Sequence, residues 1–308
     1  MEPKPALDRF ERPDRCPVCA GPRRKPYRKG NFDYAGLDKD QIKITDAEYG
    51  KIWDLSRCPD CGHIFADPAP KPEFIFDLYR QVEDPTYDVE SEGRSQNFRG
   101  ILKTLDGLQP ERGTLFDVGA ATGILLEAAR GRGWTPDGID ASDWAVECAR
   151  RTRNLPLRQG NFEEADVAPG SCRAVTMVDF IEHTPRPREA VAKAREILAP
   201  GGVLCLVTPD IHSLAARLAG RRWWHLRPGH LAYFSKKSLA TLLGDAGFTI
   251  LRRRRYAWTF SAHYLLTRLK AFRFLVRGRR AAMIFKKIPI KLALRDSFEI
   301  YARKDPPK

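Results

Sequence analysis

The sequence of 308 residues lacks any apolar run near the about 18 residues that a membrane-spanning helix requires. Its first stretch, MEPKPALDRFERPDR, is charged and proline-rich where a secretory signal would carry an apolar segment. Internal repeats and low-complexity segments are also missing. These absences predict a soluble, cytoplasmic chain, and the length predicts one α/β domain with a smaller module.

Acidic residues are scarce near the C-terminus. Residues 251–308 hold 17 Lys and Arg against 3 Asp and Glu, so this segment carries 17 − 3 = +14, which equals the formal net charge of the whole chain. Such a localised excess predicts contact with an anionic surface at one place, such as a membrane, a nucleic acid or a phosphorylated carrier.

Four of the seven cysteines form two C-x2-C pairs, Cys16 with Cys19 and Cys58 with Cys61. Each short knuckle can direct two thiolates at one metal, and two knuckles together supply the tetrahedral ligands of a structural Zn²⁺. Disulfides are the weaker interpretation in a reducing cytosol, and unmetallated or redox cysteines remain the alternative. The spacing predicts a zinc-ribbon-like module in residues 1–70.

Prolines, and an alternation of strand-like and helix-like stretches, predict how the rest of the chain is divided. The prolines of FADPAPKPEF predict a boundary, residues 71–96 a helical connector, and residues 97–308 the main domain. From residue 114 onward strand-like and helix-like stretches alternate, which predicts a doubly wound, mostly parallel, seven-stranded Rossmann-like sheet. The predicted strands are TLFDVGA, PDGIDAS, LPLRQGN, AVTMVDF, VLCLVTP, TILRRRRYAW and SFEIYARK.

The stretch LFDVGAATG places a ligand site after the first of these strands. Gly119 and Gly123 permit a tight turn, and Asp140, at the end of the second strand, can accept two ribose hydroxyls. The glycine spacing does not fit the G-x-G-x-x-G turn of dinucleotide-binding proteins. Asp117 adds a negative charge that suits an ammonium and sulfonium better than a pyrophosphate. These features together indicate S-adenosylmethionine.

At this point the sequence resembles the class I S-adenosylmethionine-dependent methyltransferases, from about residue 97 to the end. Five ordered segments carry the resemblance: LFDVGAATG, GIDAS, GNFEEAD, DFIEHTPRP and LAPGGVLCLVTP. It implies that Asp117, Gly119 and Gly123 hold the methionine end, that Asp140 holds the ribose, and that Asn161 and Phe162 frame the adenine. Departures are Ala121, where many members have glycine, and Cys172-Arg173, where relatives usually have Phe-Asp.

The zinc pairs ahead of such a core resemble a bacterial group that modifies sugars, lipid-linked glycans and natural products. The resemblance implies a small-molecule or glycan acceptor, with S-adenosylmethionine as co-substrate and zinc as a structural ion. The rival hypothesis is an RNA base methyltransferase, since a zinc module and a basic tail also suit RNA. Against it, DFIEHTP replaces the Asn-Pro-Pro-aromatic segment typical of enzymes that methylate exocyclic amines, and no catalytic cysteine motif is found.

Two histidines are candidates for a base that removes an acceptor proton. His183 follows the fourth strand, and His230 lies in the segment that often lines the acceptor side. The aromatic residues of RRWWHLRPGHLAYF, including Trp223, Tyr233 and Phe234, could wall the acceptor or merely cap the sheet. Tyr79 and Tyr87 in the connector are expected to pack against the sheet domain.

A basic amphipathic insertion is predicted at about residues 259–295. If residues 261–277 are helical, Leu265, Leu269, Phe272 and Val276 form one apolar stripe beside Lys and Arg side chains. This pattern is typical of a helix in a membrane interface. It predicts peripheral binding of the protein to the inner face of an anionic membrane. The alternative is a helix docked on the domain.

Overall fold

The computed structural model describes residues 7–34, 36–43, 45, 49–268, 276 and 278–306. The N-terminal third contains β1 (Phe10–Glu11), β2 (Lys25–Arg28), β3 (Leu55–Arg57), β4 (Ile64–Ala66), β5 (Ala69–Pro70), α1 (Pro72–Arg80) and α2 (Ser91–Leu108). Then follow β6 (Thr114–Val118), α3 (Ile124–Arg130), β7 (Thr135–Asp140), α4 (Asp143–Arg153), β8 (Arg158–Gln159), β9 (Cys172–Val178), α5 (Pro187–Ile197) and β10 (Leu198–Pro209). The last elements are α6 (Leu214–Ala219), β11 (Ala232–Tyr233), α7 (Lys236–Asp245), β12 (Phe248–Ser261), α8 (Ala262–Arg268), α9 (Arg279–Lys286) and β13 (Pro289–Lys304). Among these described helices, none combines the length and apolarity needed to span a bilayer.

The central sheet has seven strands in the order β12-β13-β10-β9-β6-β7-β8. β13 pairs antiparallel with both neighbours, and the pairs from β10 to β8 are parallel. This confirms the predicted mostly parallel sheet. Because β7 and β8 lie on one side of β6 and β9 on the other, the strand order reverses at β6, and a crevice opens there at the carboxyl ends.

Local sequence explains the helices that cover the sheet. The α4 helix begins where the Ser142 hydroxyl accepts the Ala145 amide, and it ends at Asn154 in the left-handed region. Its buried residues recur at helical spacing and pack beside β7. β10 is buried along six consecutive residues from Val203 to Thr208, as a strand covered on both faces must be.

The N-terminal module is tied to the main domain by a shared sheet. Its four strands have the order β11-β4-β3-β2, and β11 comes from residues 232 and 233, far along the chain. The Trp53 indole also donates to the Pro228 carbonyl at 2.8 Å. Furthermore, α2 runs through the predicted boundary between residues 96 and 97. The described residues of the N-terminal module therefore share a sheet and a hydrogen bond with the main domain.

The predicted basic insertion is a long hairpin with helices at its tip. β12 and β13 pair as far as Ser261 opposite Pro289, so both strands are longer than predicted. Within the described residues of 261–277, the expected helix is seen as α8, and Leu269 and Phe272 lie outside the described residues. Val276, expected to face lipid, is buried at 6% exposure. That part of the prediction is wrong, because Val276 packs inward.

Candidate active site

A cleft that is partly open to solvent lies at the carboxyl ends of β6, β7 and β9. Concave sites of this kind, at the point where strand order reverses, are where open α/β sheets bind ligands. One wall is formed by the segments after these strands, and the facing wall by the N-terminal third of the chain. That facing wall contains Ile42, Pro72, Ile75, Phe76, Tyr79, Val82 and Tyr87. The structure thus brings the predicted cofactor segments and the connector into one site.

The turn after β6 lines this cleft through Gly119, Ala121 and Thr122. Gly119 has a φ of 71°, and a Cβ there would lie 3.1 Å from a ring carbon of Phe180, another lining residue. The Gly119 and Ala120 amides both donate to the Ile139 carbonyl, which ties the turn to β7. Gly123 does not line the cleft, and a Cβ there would lie 2.5 Å from Leu155. Because Gly123 has no side chain, α3 can begin close to the segment that contains Leu155.

Asp140 lines the cleft at the end of β7. One carboxylate oxygen accepts the Ala121 amide at 2.7 Å and the other accepts the Ser142 amide at 2.8 Å. Each oxygen retains a second lone pair for a ligand. Burial raises the pKa of Asp140, although the two amide hydrogen bonds oppose that shift. Asp140 is therefore a fixed acceptor pair that also braces the turn.

Asp117 lies beneath the turn and is not part of the cleft lining. It is 4% exposed and accepts the Thr176 hydroxyl at 2.5 Å. Burial raises the pKa of this carboxyl to about 7. A cation bound above the turn would favour the ionised form of Asp117 and lower that pKa.

Asp117 should make stability depend on pH. Because its folded-state pKa lies above the unfolded value, it stabilises the protein below about pH 4, and this contribution is lost as pH rises through about 7. An Asp117→Asn variant keeps the Thr176 contact but does not titrate, so it does not lose stability as pH rises. Its free energy of unfolding relative to wild type should therefore rise by about 2 kcal/mol between pH 5 and pH 8. Urea unfolding at both pH values measures this. A constant difference would show that Asp117 ionises normally.

Asn161 and Phe162 line the cleft beyond β8. The Asn161 side chain caps a short 3-10 helix, Phe162–Glu164, by accepting the Glu163 amide. The Phe162 side chain is buried at 2% exposure, and its ring meets Phe180 edge to face at 6.3 Å between centroids. Asn161 and Phe162 thus lie at the end of the cleft formed after β8, next to the strand that carries Asp140.

His183 lines the cleft in the segment that follows β9. Its Nδ1 lies 2.7 Å from the hydroxyl of Tyr79, which in turn lies 3.3 Å from the Gly229 carbonyl. Burial lowers the pKa of His183 to about 3, with a further contribution from the Arg227 charge. The imidazole is therefore neutral at physiological pH.

His230 lies behind His183 and does not line the cleft. The two rings meet edge to face at 4.7 Å between centroids, and His225 stacks on the other side of His230 at 5.8 Å. Glu182 joins this cluster, and ligand atoms of Glu182, His183 and His230 lie within 4.8 Å of one another. Burial lowers the pKa of His230 and raises that of Glu182. The structure thus brings both predicted histidines together and exposes only His183 to a ligand.

Three cleft residues were missed or underrated in the sequence. Tyr79 and Tyr87, expected to pack on the sheet, both line the cleft. Asp179 follows β9 with a φ of 51°, a strained conformation for a residue with a side chain. Its Oδ1 is buried without a hydrogen-bond partner among the described residues, and burial raises its pKa to about 6. Its position after the fourth strand was the available signal.

Of the two alternatives for the aromatic residues of RRWWHLRPGHLAYF, burial in the core describes Trp223, Tyr233 and Phe234, none of which lines the cleft. Trp223, Tyr233 and Phe234 are between 0% and 2% exposed and belong to the core. Trp223 packs with the N-terminal cluster, while Phe234 meets His63 at 4.8 Å. These rings hold the segment around His230 against the N-terminal module.

The four paired cysteines converge, as predicted. The sulfurs of Cys16 and Cys61 lie 3.6 Å apart, as do those of Cys19 and Cys58, and all four lie within 4.8 Å of one another. Four thiolates at 2.3 Å around a tetrahedral zinc ion would be about 3.8 Å apart. The cluster therefore fits zinc without rearrangement of the fold.

Residues 90–253, slightly more than half of the chain, match the protein family described as "Methyltransferase domain". The chain belongs to this family. It is 31% identical over 163 residues to the ubiquinone biosynthesis O-methyltransferase of Paracidovorax citrulli, covering 50% of this chain and 66% of that protein. With the enzyme of the same name from Thiobacillus denitrificans it shares 34% over 108 residues, covering 33% and 47%. The matches thus leave from about a third to just over half of the length of these relatives uncovered.

Solved structures of methyltransferases are also similar to this chain. Magnesium protoporphyrin IX methyltransferase from Synechocystis, solved with bound S-adenosylhomocysteine, has a TM-score of 0.49 and 15% identity, covering 73% of this chain and 89% of that one. A methyltransferase from Thermotoga maritima has a TM-score of 0.46 and 20% identity, covering 68% and 89%. TM-scores and identities this low give no information about the acceptor.

Proposed function

We propose that the protein transfers a methyl group from S-adenosylmethionine to an oxygen of a small hydroxyl-bearing acceptor. The observation that carries the proposal is the single cleft in which Gly119, Asp140, Asn161 and Phe162 face the same space as a neutral His183. Membership of the methyltransferase family supports the co-substrate, and the names of the two O-methyltransferase relatives favour oxygen as the atom methylated.

The cofactor half of the proposal assigns a role to each lining residue. Asp140 would accept the two ribose hydroxyls on its free lone pairs, while Asn161 and Phe162 would frame the adenine. Gly119 would let the backbone approach the methionine end, and the buried Asp117 charge beneath it would attract the ammonium and sulfonium. Gly123 would act only through packing. S-adenosylmethionine, when bound, supplies the electrophilic methyl group.

The acceptor half assigns the base to His183. We assign the Tyr79 hydroxyl as the donor to the Gly229 carbonyl and therefore as the acceptor of His183 Nδ1–H; the other His183 tautomer would reverse the bond between Tyr79 and His183. The assigned tautomer leaves His183 Nε2 with a free lone pair for the acceptor proton. His230 is placed to support the His183 ring from behind, so we assign it a positioning role. Methyl transfer itself depends on alignment of the oxygen with the methyl carbon.

The facing wall of the cleft favours an acceptor with an apolar body. Its residues Ile42, Pro72, Ile75, Phe76 and Val82 offer aliphatic and aromatic surface without side-chain hydrogen-bond donors, while Tyr79 and Tyr87 of the same wall add one hydroxyl each. A bare sugar would leave most of its hydroxyls unpaired against this wall, which is costly. A lipid-linked molecule or an apolar natural product would fit it, and of the acceptors expected from the sequence we favour these.

We further propose that the four cysteines hold one structural zinc ion. The support is the fit between their sulfur separations and tetrahedral thiolate geometry. The cysteine cluster also lies in one hydrophobic core with Phe65 and Phe234, next to the segment that carries His230. The ion would thereby stabilise the acceptor side as well as the module.

An Asp140→Ala variant tests the cofactor site. Loss of the ribose contact should cost about 2 kcal/mol, which is more than tenfold in affinity for S-adenosylhomocysteine. Calorimetric titration measures it, and Asp143→Ala is the matched control because Asp143 is 66% exposed and outside the cleft. Equal affinity of the Asp140 variant and wild type would place the ribose elsewhere.

A further inference from the structure

Two regions of the fold, α6 and the outer part of the β12–β13 hairpin, expose large apolar side chains. Leu214 and Leu218 on α6 are 69% and 79% exposed, and Met283 and Ile284 on α9 are 60% and 61% exposed. Ile288, which precedes β13, and Leu294, within β13, are 43% and 45% exposed. Exposed apolar side chains in a group, rather than singly, indicate an interaction site.

These side chains lie on elements that are linked by contacts or by chain continuity. The α6 helix packs against β13, which carries Leu294, and β13 leads outward to Ile288 and α9. The α9 helix packs in turn against α8 at the tip of the hairpin. We call these elements together the basic apolar surface and define it by α6, the 3-10 helix Gly220–Arg222 that follows it, α9 and residues 287–295.

The same surface carries exposed cations and no exposed acid. Residues 211–295 contain twenty Lys and Arg but a single acidic residue, Asp245, which pairs with Arg188 elsewhere. Seven exposed cations on the surface have no hydrogen bond or ion pair with any described residue: Arg217, Arg221, Arg222, Lys286, Lys287, Lys291 and Arg295. Their charge is uncompensated, so the surface is complementary to an anionic partner.

The surface lies at the same edge of the sheet as the cleft. Pro209, the last residue of β10, pairs with Ser297, so residues 289–296 of β13 extend past the carboxyl end of β10. The α6 helix follows β10 at that edge. Because β10 is parallel to β9, the cleft opens at this edge too. A partner bound here would be close to the mouth of the acceptor site.

We propose that the basic apolar surface docks the protein on an anionic lipid bilayer. Leucine, isoleucine and methionine side chains interspersed with cations suit the boundary between headgroups and acyl chains, where the apolar groups insert and the cations contact lipid phosphates. RNA would engage the cations and leave the aliphatic side chains in water. The inference extends the interface role of residues 259–295 to α6, and it does not rest on the proposed methyl transfer.

Vesicle cosedimentation tests the proposal with the whole protein. The probe is phosphatidylcholine vesicles with graded phosphatidylglycerol content at low and physiological ionic strength. Wild type should bind more strongly as phosphatidylglycerol increases and less strongly as salt increases. Replacing Arg217, Arg221 and Arg222 by Gln should weaken binding about 100-fold, which corresponds to about 1 kcal/mol for each cation near an anionic leaflet. Leu218→Asp with Ile284→Asp should weaken it at least tenfold.

Matched variants separate docking from general effects. Lys103→Gln with Arg151→Gln and Lys236→Gln removes the same charge from other faces and should bind vesicles like wild type. Leu251→Asp, at the opposite end of β12, is the apolar control. Unchanged affinity for S-adenosylhomocysteine would show that each variant is folded. Absence of wild-type binding at low salt, equal losses in the control and surface variants, or RNA binding that outcompetes vesicles would each overturn the proposal.

Discussion

A His183→Ala variant should turn over at least about 100-fold more slowly than wild type while binding S-adenosylmethionine with unchanged affinity. The expected loss is the usual size of a general-base contribution. The cofactor affinity should hold because His183 is on the acceptor side of the cleft and does not contact the turn after β6. Release of S-adenosylhomocysteine in the presence of an accepted hydroxyl compound measures the rate, and calorimetry measures the affinity.

Two further variants show whether His183 acts as a base or merely shapes the cleft. Tyr79→Phe removes the hydroxyl that fixes the His183 tautomer and should lower turnover about tenfold, by the energy of one buried hydrogen bond. His212→Ala, at an exposed histidine outside the cleft, is the control and should be neutral. If His183→Ala keeps near-normal turnover, alignment alone drives the reaction.

Loss of the metal should unfold the N-terminal module and abolish turnover. Structural zinc sites contribute about 10 kcal/mol or more to folding, which exceeds the stability of many domains. Cys58 and Cys61 directly precede β4, and β4 pairs with β11, two residues after His230. Unfolding of β4 should therefore displace β11 and the nearby His230 segment. Asp140 and the turn after β6 should be less affected, because they belong to a different sheet.

Metal analysis and stability measurements test this prediction together. Protein prepared without chelator should contain one zinc ion per chain, and Cys58→Ser should lose the ion and lower the melting temperature. Cys148→Ser is the control, because Cys148 is buried but lies outside the cysteine cluster. Protein that contains no zinc, or a Cys58→Ser variant as stable and active as wild type, would remove the metal from the account.

Much of the central sheet could be predicted from the sequence because its signals are local. The buried strands, the glycine turn after Val118 and the cap at Ser142 each depend on neighbouring residues, so their pattern is visible in a short window. The order of the motifs placed Gly119 and Asp140 in one crevice, and the structure brings both into the cleft lining. The two C-x2-C pairs were predictable for the same reason, because each pair lies within four consecutive residues.

The acceptor side could not be predicted because it depends on contacts between distant segments. Tyr79 meets His183 across 104 residues, and Trp53 meets Pro228 across 175. Nothing in the local pattern distinguishes His183, which lines the cleft, from His230, which lies behind it. The aromatic stretch around Trp223 looked like a wall for the same reason, since burial against the N-terminal module is decided by tertiary packing.

Hydrogen exchange with and without S-adenosylhomocysteine tests the central claim most directly. If the cleft at the carboxyl ends of β6 and β7 holds the co-substrate, the ligand should slow amide exchange in residues 118–123, 139–142 and 160–163, which surround that space. Residues 214–222, which form α6 and the 3-10 helix after it, should be unaffected. Protection that spares the turn and the Asp140 segment, or that appears only elsewhere in the chain, would contradict the assignment of this cleft as the methyl-donor site.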